Sequence, residues 1–231
     1  MGELLSIAIK NDELHRRLGG GIPAGSIVLI EGDRGSGKSV FSQRLLYGFL
    51  SNGHSVSYLS SQYTTVEFIN QMYSLGYEII PFLIRRKLLF VSFYPLLSTL
   101  SSEEKFLSRL INEPRVWEPD VIIIDSITPI IGKKVSDSAL RMFTEHVKKM
   151  SSLGKVTTLT VNEKEMDEDL LLKLEEISTL LIRLQVKVFG GDLKNSAMII
   201  KYNNAKGLFQ RIIPFRVEPR VGFIVEIATV V

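Results

Sequence analysis

SIVLIEGDRGSGKS, residues 26–39, is the stretch from which the fold can be argued. Its first six residues form an apolar run bounded by Gly25 and Gly32, the pattern of a buried strand. Its last eight, Gly32, Asp33, Arg34, Gly35, Ser36, Gly37, Lys38 and Ser39, match G-x-x-x-x-G-K-[ST] at every fixed position. Beyond them Val40, Phe41, Leu45, Leu46, Phe49 and Leu50 recur at helical spacing until Ser51, Asn52 and Gly53 supply a stop. A glycine turn with an incidental lysine would fit the eight residues alone, but not their place between a strand and a helix. In that place the glycines let backbone amides turn inward as an anion nest, and the helix adds its positive end. Lys38 is expected to reach the β- and γ-phosphates of ATP, and the Ser39 hydroxyl to ligate Mg²⁺.

Outward from this stretch, strand and helix patterns alternate. Strands are expected over 55–60, 88–93, 121–125 and 156–161, with helices over 65–75, 102–112 and 136–150 between them. The run VIIID at 121–125 is apolar enough to be covered on both faces, as in a parallel sheet. Alternation at this spacing predicts a doubly wound, mainly parallel α/β sheet with helices on both faces. After residue 161 the pattern changes to β-like runs at 180–188, 197–202, 210–217 and 223–227, which predict an antiparallel extension. No repeat or linker divides the chain, so one domain over 1–231 is expected. The second half of the phosphate site should be an acid ending a central strand, and Asp125 supplies it as the Mg²⁺ partner.

Composition narrows the class. With 231 residues, 45% hydrophobic and 23% charged, the chain has the make-up of a folded globular protein. It has no cysteine, so neither disulfides nor thiolate metal sites enter. No apolar run approaches the roughly 20 residues of a membrane-spanning helix, and no secretory pattern opens the sequence, so a cytoplasmic location is expected. A formal charge of +3 is too mild to imply a nucleic-acid partner. The charge is unevenly placed: residues 162–176 hold seven acids against two lysines, and residues 183–220 hold eight basic residues against two acids. Two solvated faces explain this most simply, and complementary oligomer surfaces are the sharper alternative. His15, His54 and His146 show no ligand spacing.

The sequence resembles the RecA-like ATPases, and among them the KaiC-like group, over nearly its whole length. The resemblance rests on residues 13–26 (ELHRRLGGGIPAGS) ahead of the phosphate loop, on 119–126 (PDVIIIDS) and on 201–206 (KYNNAK). The stretch at 58–77 (YLSSQYTTVEFINQMYSLGY) is similar to the archaellum accessory ATPases, the H-protein family of the archaeal swimming motor. That resemblance implies a RecA-like core and an ATP-dependent homo-oligomeric ring, by family likeness a hexamer. It further implies a peripheral place at the cytoplasmic base of the motor, beside a membrane-associated scaffold and the motor's own ATPase.

Active members of the wider group carry a Glu pair just after the second strand, and here Gln62 and Tyr63 stand at those positions. An amide orients water but takes no proton from it, so hydrolysis should be slow or absent. Asn162 falls where RecA-like folds place a polar γ-phosphate sensor, although a turn residue explains it nearly as well. Lys201 and Lys206 resemble a late basic finger that touches a ring neighbour's nucleotide, with solvated hairpin lysines as the competing reading. Ser60, Ser61, Thr64 and Thr65 offer hydroxyls for autophosphorylation of the clock type, but helix capping by Thr64 or Thr65 is favoured. A recombinase acting on DNA should carry basic and aromatic residues after the Asp125 strand, and 126–138 has only Lys133 and Lys134. A regulatory ATP-binding subunit is therefore favoured over a DNA-directed motor or an autokinase.

Overall fold

The computed structural model describes residues 3–10, 12–94, 103–131, 135–189 and 192–226. In chain order the strands are β1 (Leu4–Leu5), β2 (Ile22–Pro23), β3 (Ile27–Gly32), β4 (Val56–Ser60), β5 (Leu88–Ser92), β6 (Val121–Asp125) and β7 (Val156–Val161). They continue with β8 (Leu180–Phe189), β9 (Asp192–Tyr202), β10 (Ile212–Glu218) and β11 (Gly222–Val225). β1 and β2 make a small antiparallel pair, and the rest form one sheet in the order β11-β10-β9-β8-β3-β7-β6-β4-β5. From β8 to β5 all neighbours are parallel, and β9, β10 and β11 are added antiparallel.

Successive residues of a strand point to opposite faces, and here each face has its own core. Val28 and Ile30 of β3 and Val121 and Ile123 of β6 join the cluster built on helix Lys38–Ser51 and helix Thr65–Ser74. Their neighbours Ile27, Leu29, Ile122 and Ile124 join the cluster under helix Asp137–Ser152 and helix Glu168–Ile177. The continuous apolar runs in the sequence thus reflect burial from both sides.

Thr64 caps helix Thr65–Ser74 in a capping box: its Oγ1 accepts from the Glu67 amide at 3.4 Å, and its own amide donates to Glu67 Oε2 at 2.8 Å. Ser60 Oγ accepts from the amides of Gln62 and Tyr63, and Ser61 Oγ from that of Ser126. Three of the four hydroxyls considered for phosphorylation are therefore engaged in holding local backbone.

One expectation needs correction. The first β-like run after residue 161 is not part of the antiparallel extension, because β8 runs parallel to β3, with Leu184 opposite Gly32. The reason is helix Glu168–Ile177, which sequence reading left as an acidic stretch. Asp167 caps it by accepting from the amides of Asp169 and Leu170, and Leu170 and Leu174 bury against the sheet. A helical crossover returns the chain in its original direction, and only from β9 onward do direct reversals make antiparallel neighbours. The expected strand starting at 197 begins at Asp192, and residues 133, 134 and 227 lie outside the described residues.

Candidate functional site

The parallel strands deliver their carboxyl ends to one margin of the sheet, where open α/β folds form their sites. β3 runs directly into the glycine loop. Gly35 and Gly37 have φ of 78° and 92°, a region costly for any residue with a Cβ. A Cβ on Gly37 would also come 3.4 Å from the ring of Phe215 in β10, so the loop lies flush against the antiparallel end of the sheet. Gly37 is the N-cap of helix Lys38–Ser51 and makes no side-chain capping bond, which leaves the first amides of the helix to an external acceptor. The Lys38 ammonium donates to the carbonyls of Gly32 and Asp33, both at 2.6 Å. Burial holds its pKa below the usual lysine value, against the opposing fields of Asp125 and Asp33.

In front of the loop lies a cavity of about 600 Å³. Arg34, Gly35, Gly37, Lys38, Ser39 and Val40 form one side, Ser61 and Gln62 follow β4, Ser126, Thr128 and Pro129 follow β6, and Asn162 and Glu165 follow β7. Residues from four separate segments, including Gln62 and Asn162, are thus brought together at one cavity. Asn162 is 7% exposed, its amide N–H donates to Thr128 Oγ1 at 2.9 Å, and its Oδ1 is buried without a partner. An anionic ligand in the cavity would be met by the Nδ2 donor of Asn162, since Oδ1 only accepts. Gln62 is exposed on the wall. Asp33 and Ser36 face a neighbouring recess with Glu163 and Leu184 instead. The loop tip is tied to the turn after β7 by two ion pairs, Lys164 with Asp33 at 2.6 Å and Arg34 with Glu165 at 2.5 Å.

Asp125 lies behind the cavity wall, fully buried. Its Oδ2 accepts from Tyr58 Oη and its Oδ1 from Thr160 Oγ1, each at 2.7 Å. Burial, reinforced by the Asp125 charge, pushes the Tyr58 phenol well above its usual pKa, so Tyr58 remains a donor. The Ser39 hydroxyl on the cavity wall and the Asp125 carboxylate behind it are hard oxygen donors of the kind Mg²⁺ takes, so in donor type the residues present fit that ion. Sequence reading missed Tyr58, Thr160, Thr128 and Glu165. The one local signal was a run of polar residues, Thr157, Thr158 and Thr160, inside a fully buried strand.

Lys201 and Lys206 do not line the cavity. The Lys201 ammonium donates to the carbonyls of Glu175 and Glu176, both at 3.2 Å, at the end of helix Glu168–Ile177. Lys206 is exposed on the connection from β9 to β10.

Beneath the loop, Glu31 is wholly buried and accepts from Arg183 Nη2 at 2.9 Å and Nε at 3.1 Å, while its Oε1 has no partner. Burial first, then the neighbouring Glu175 carboxyl, pushes its pKa up to about 7 against the pull of Arg183. A raised acid pKa means that the folded state holds the proton longer than the unfolded chain. Stability contributed by this group is therefore full below the ordinary Glu value and declines as pH rises towards 7. Glu31→Gln should remove that decline. Urea midpoints at pH 5 and pH 8 are expected to converge for the variant relative to wild type, and parallel pH profiles would contradict this.

A glycine loop between β3 and a helix, an acid ending β6 and a mainly parallel sheet with an antiparallel margin together define a RecA-like P-loop ATPase. The family described as "ATPase: KaiC" matches residues 8–228. The archaeal flagellar ATP-binding protein FlaH of Methanocaldococcus jannaschii is 45% identical over 228 residues, covering 99% of this chain and 98% of that one. The crystal structure of flagellar accessory protein FlaH from the same organism superposes with a TM-score of 0.93 at 45% identity, covering 98% of this chain and all of the other. A KaiC-like protein from Pyrococcus horikoshii shares the fold, with a TM-score of 0.77 at 20% identity over 98% of this chain and 100% of that one. The chain belongs to the KaiC ATPase family and, within it, to the archaeal FlaH group. No helix among the described residues is long and apolar enough to cross a membrane.

Proposed function

We propose that the chain is an ATP-binding accessory subunit of the archaellum motor, in which the nucleotide serves as an assembly ligand more than as a fuel. The 1–231 chain acts as one RecA-like domain. Residues 32–39 would hold the phosphates of ATP at the cavity of about 600 Å³, Asn162 would stand on the side of the terminal phosphate, and Ser39 and Asp125 would hold Mg²⁺. The loaded form is a closed homo-oligomer, a hexamer by family likeness, located at the cytoplasmic face of the membrane motor and bound to its scaffold and motor ATPase. No nucleic acid takes part. Lys206, exposed on its loop, is the better candidate to reach a neighbour's nucleotide, because the Lys201 ammonium already serves its own helix.

The observation that carries this reading is Gln62 on the cavity wall, where active relatives of the wider group hold a carboxylate. Without a carboxylate at that position, turnover should fall well below the roughly 1 to 10³ s⁻¹ of typical enzymes. Phosphate release by the purified protein measures it, and robust hydrolysis would show that another base serves. The engagement of Ser60, Ser61 and Thr64 in local backbone bonds favours a regulatory subunit over an autokinase.

The assembly reading is tested by heating the protein and weighing it in solution, each with and without MgATP. At 100 times the dissociation constant, ATP adds about 2.7 kcal/mol to the folded form. For a chain of this length that raises the melting temperature by roughly 5 to 11 °C. The mass should rise to a closed oligomer in the same samples. An unchanged melting curve contradicts ATP binding. A raised melting temperature with a monomeric mass contradicts only the ring.

A further inference from the structure

We propose that Tyr58 is a positioning residue for the metal half of the site, holding Asp125 in the orientation that Mg²⁺·ATP requires. The inference rests on the nucleotide reading above and adds a residue that the phosphate-loop pattern does not contain.

The carboxylate of Asp125 is gripped from both neighbouring strands. Tyr58 belongs to β4 on one side and Thr160 to β7 on the other, and each hydroxyl donates to a different oxygen at 2.7 Å. Both donors are neutral hydroxyls, and between them they take away the carboxylate's freedom to rotate. A carboxylate fixed in advance needs no reorganisation when a cation arrives, which is how outer partners tune metal affinity. The Tyr58 ring is itself held, with Phe68 at 4.8 Å and Phe90 at 6.3 Å between centroids, so its hydroxyl has one place to be.

The other neighbour of Tyr58 Oη is Ser42 Oγ at 3.0 Å, and Ser42 Oγ lies 2.9 Å from the carbonyl oxygen of Ser39. A serine hydroxyl has one hydrogen. The Tyr58 hydrogen is committed to Asp125, so the Ser42 hydrogen serves either the Ser39 carbonyl or the Tyr58 oxygen. It cannot serve both at once, so Ser42 packs beside Tyr58 without joining it to the Ser39 peptide by an unbroken hydrogen-bond chain. A tyrosine that merely satisfied a buried acid would support the fold but would not affect metal-dependent and metal-independent binding differently.

That difference is the test. ATP affinity is measured by calorimetry with Mg²⁺ and again in EDTA, for wild type, Tyr58→Phe, Thr160→Val and Thr160→Ser. Loss of an outer partner commonly lowers metal affinity by about 10- to 100-fold. The tightening that Mg²⁺ confers should therefore shrink by about that factor in Tyr58→Phe and Thr160→Val. Their affinities in EDTA should stay within about twofold of wild type, and Thr160→Ser, which keeps the hydroxyl, should recover the wild-type response. The proposal is overturned if Tyr58→Phe keeps the wild-type ratio of the two affinities, or if both affinities fall together. Should Tyr58→Phe not fold, the Thr160 pair decides by the same comparison. A wild-type protein that binds no ATP in either condition overturns the nucleotide reading itself, a result distinct from binding that is indifferent to Mg²⁺.

Discussion

Lys38→Ala should weaken ATP binding by at least about 30-fold and leave the nucleotide-free fold in place. Lys38 projects from the first residue of its helix into a loop otherwise made of backbone amides, and it is the buried ammonium on the cavity wall. Removing one partner of a buried, hydrogen-bonded charge pair costs about 2 kcal/mol or more, which is roughly 30-fold in affinity. Its contacts in the structure are two carbonyls of its own loop, and it packs no core, so the folded state loses little. Calorimetric titration with MgATP, beside a melting curve without nucleotide, separates the two effects. Affinity within a few-fold of wild type would mean that the phosphates lie elsewhere.

The largest stability effect is expected at Asp12. Its carboxylate pairs with the Nε of Arg44, whose side chain has no solvent exposure, and Arg44 Nη1 also donates to the Ile7 carbonyl at 3.0 Å. Gly48, one turn further along the helix, makes the room: a Cβ there would come 2.6 Å from Arg44 Nη1 and 2.7 Å from the Ile7 oxygen. Asp12→Ala strands a buried guanidinium, and breaking such a pair costs about 3 to 5 kcal/mol. The melting temperature should fall by roughly 6 to 20 °C. Replacing both partners by apolar residues, Asp12→Leu with Arg44→Met, should be far milder, because no charge is then left unpaired. If Asp12→Ala melts within a few degrees of wild type, the pair contributes little and the N-terminal segment is held by its apolar contacts alone.

The contrast between these two residues shows what the sequence could disclose. Lys38 was legible because the phosphate loop is a local device: glycines, lysine and hydroxyl occur within eight residues, and their chemistry depends on that spacing. Strands such as 121–125 were legible for a similar reason, since burial on two faces leaves an unbroken apolar run. Arg44 gave no such sign. Its partner is 32 residues away, and an arginine that follows Ser42 and Gln43 on a helix reads as part of a polar surface. Helix Glu168–Ile177 was hidden by its charge, because acids on its exposed face diluted the Leu170 and Leu174 stripe. Thr128 and Glu165 reach the cavity only through the order of the strands, which no short window contains. Asn162 lies on the cavity wall at the end of a parallel strand, and a strand end is a local feature.

Phe215 gives the antiparallel margin a mechanical hold on the phosphate loop. Its ring abuts the Cα of Gly37 and stacks on Phe223 at 4.5 Å, with Phe41 edge-on to Phe223 at 5.4 Å. Packed rings compress very little, and interiors of this density transmit strain instead of absorbing it. The antiparallel margin therefore sets the room at Gly37 as much as the loop's own sequence does, and a side chain at that position would meet both an aromatic wall and an unfavourable backbone angle.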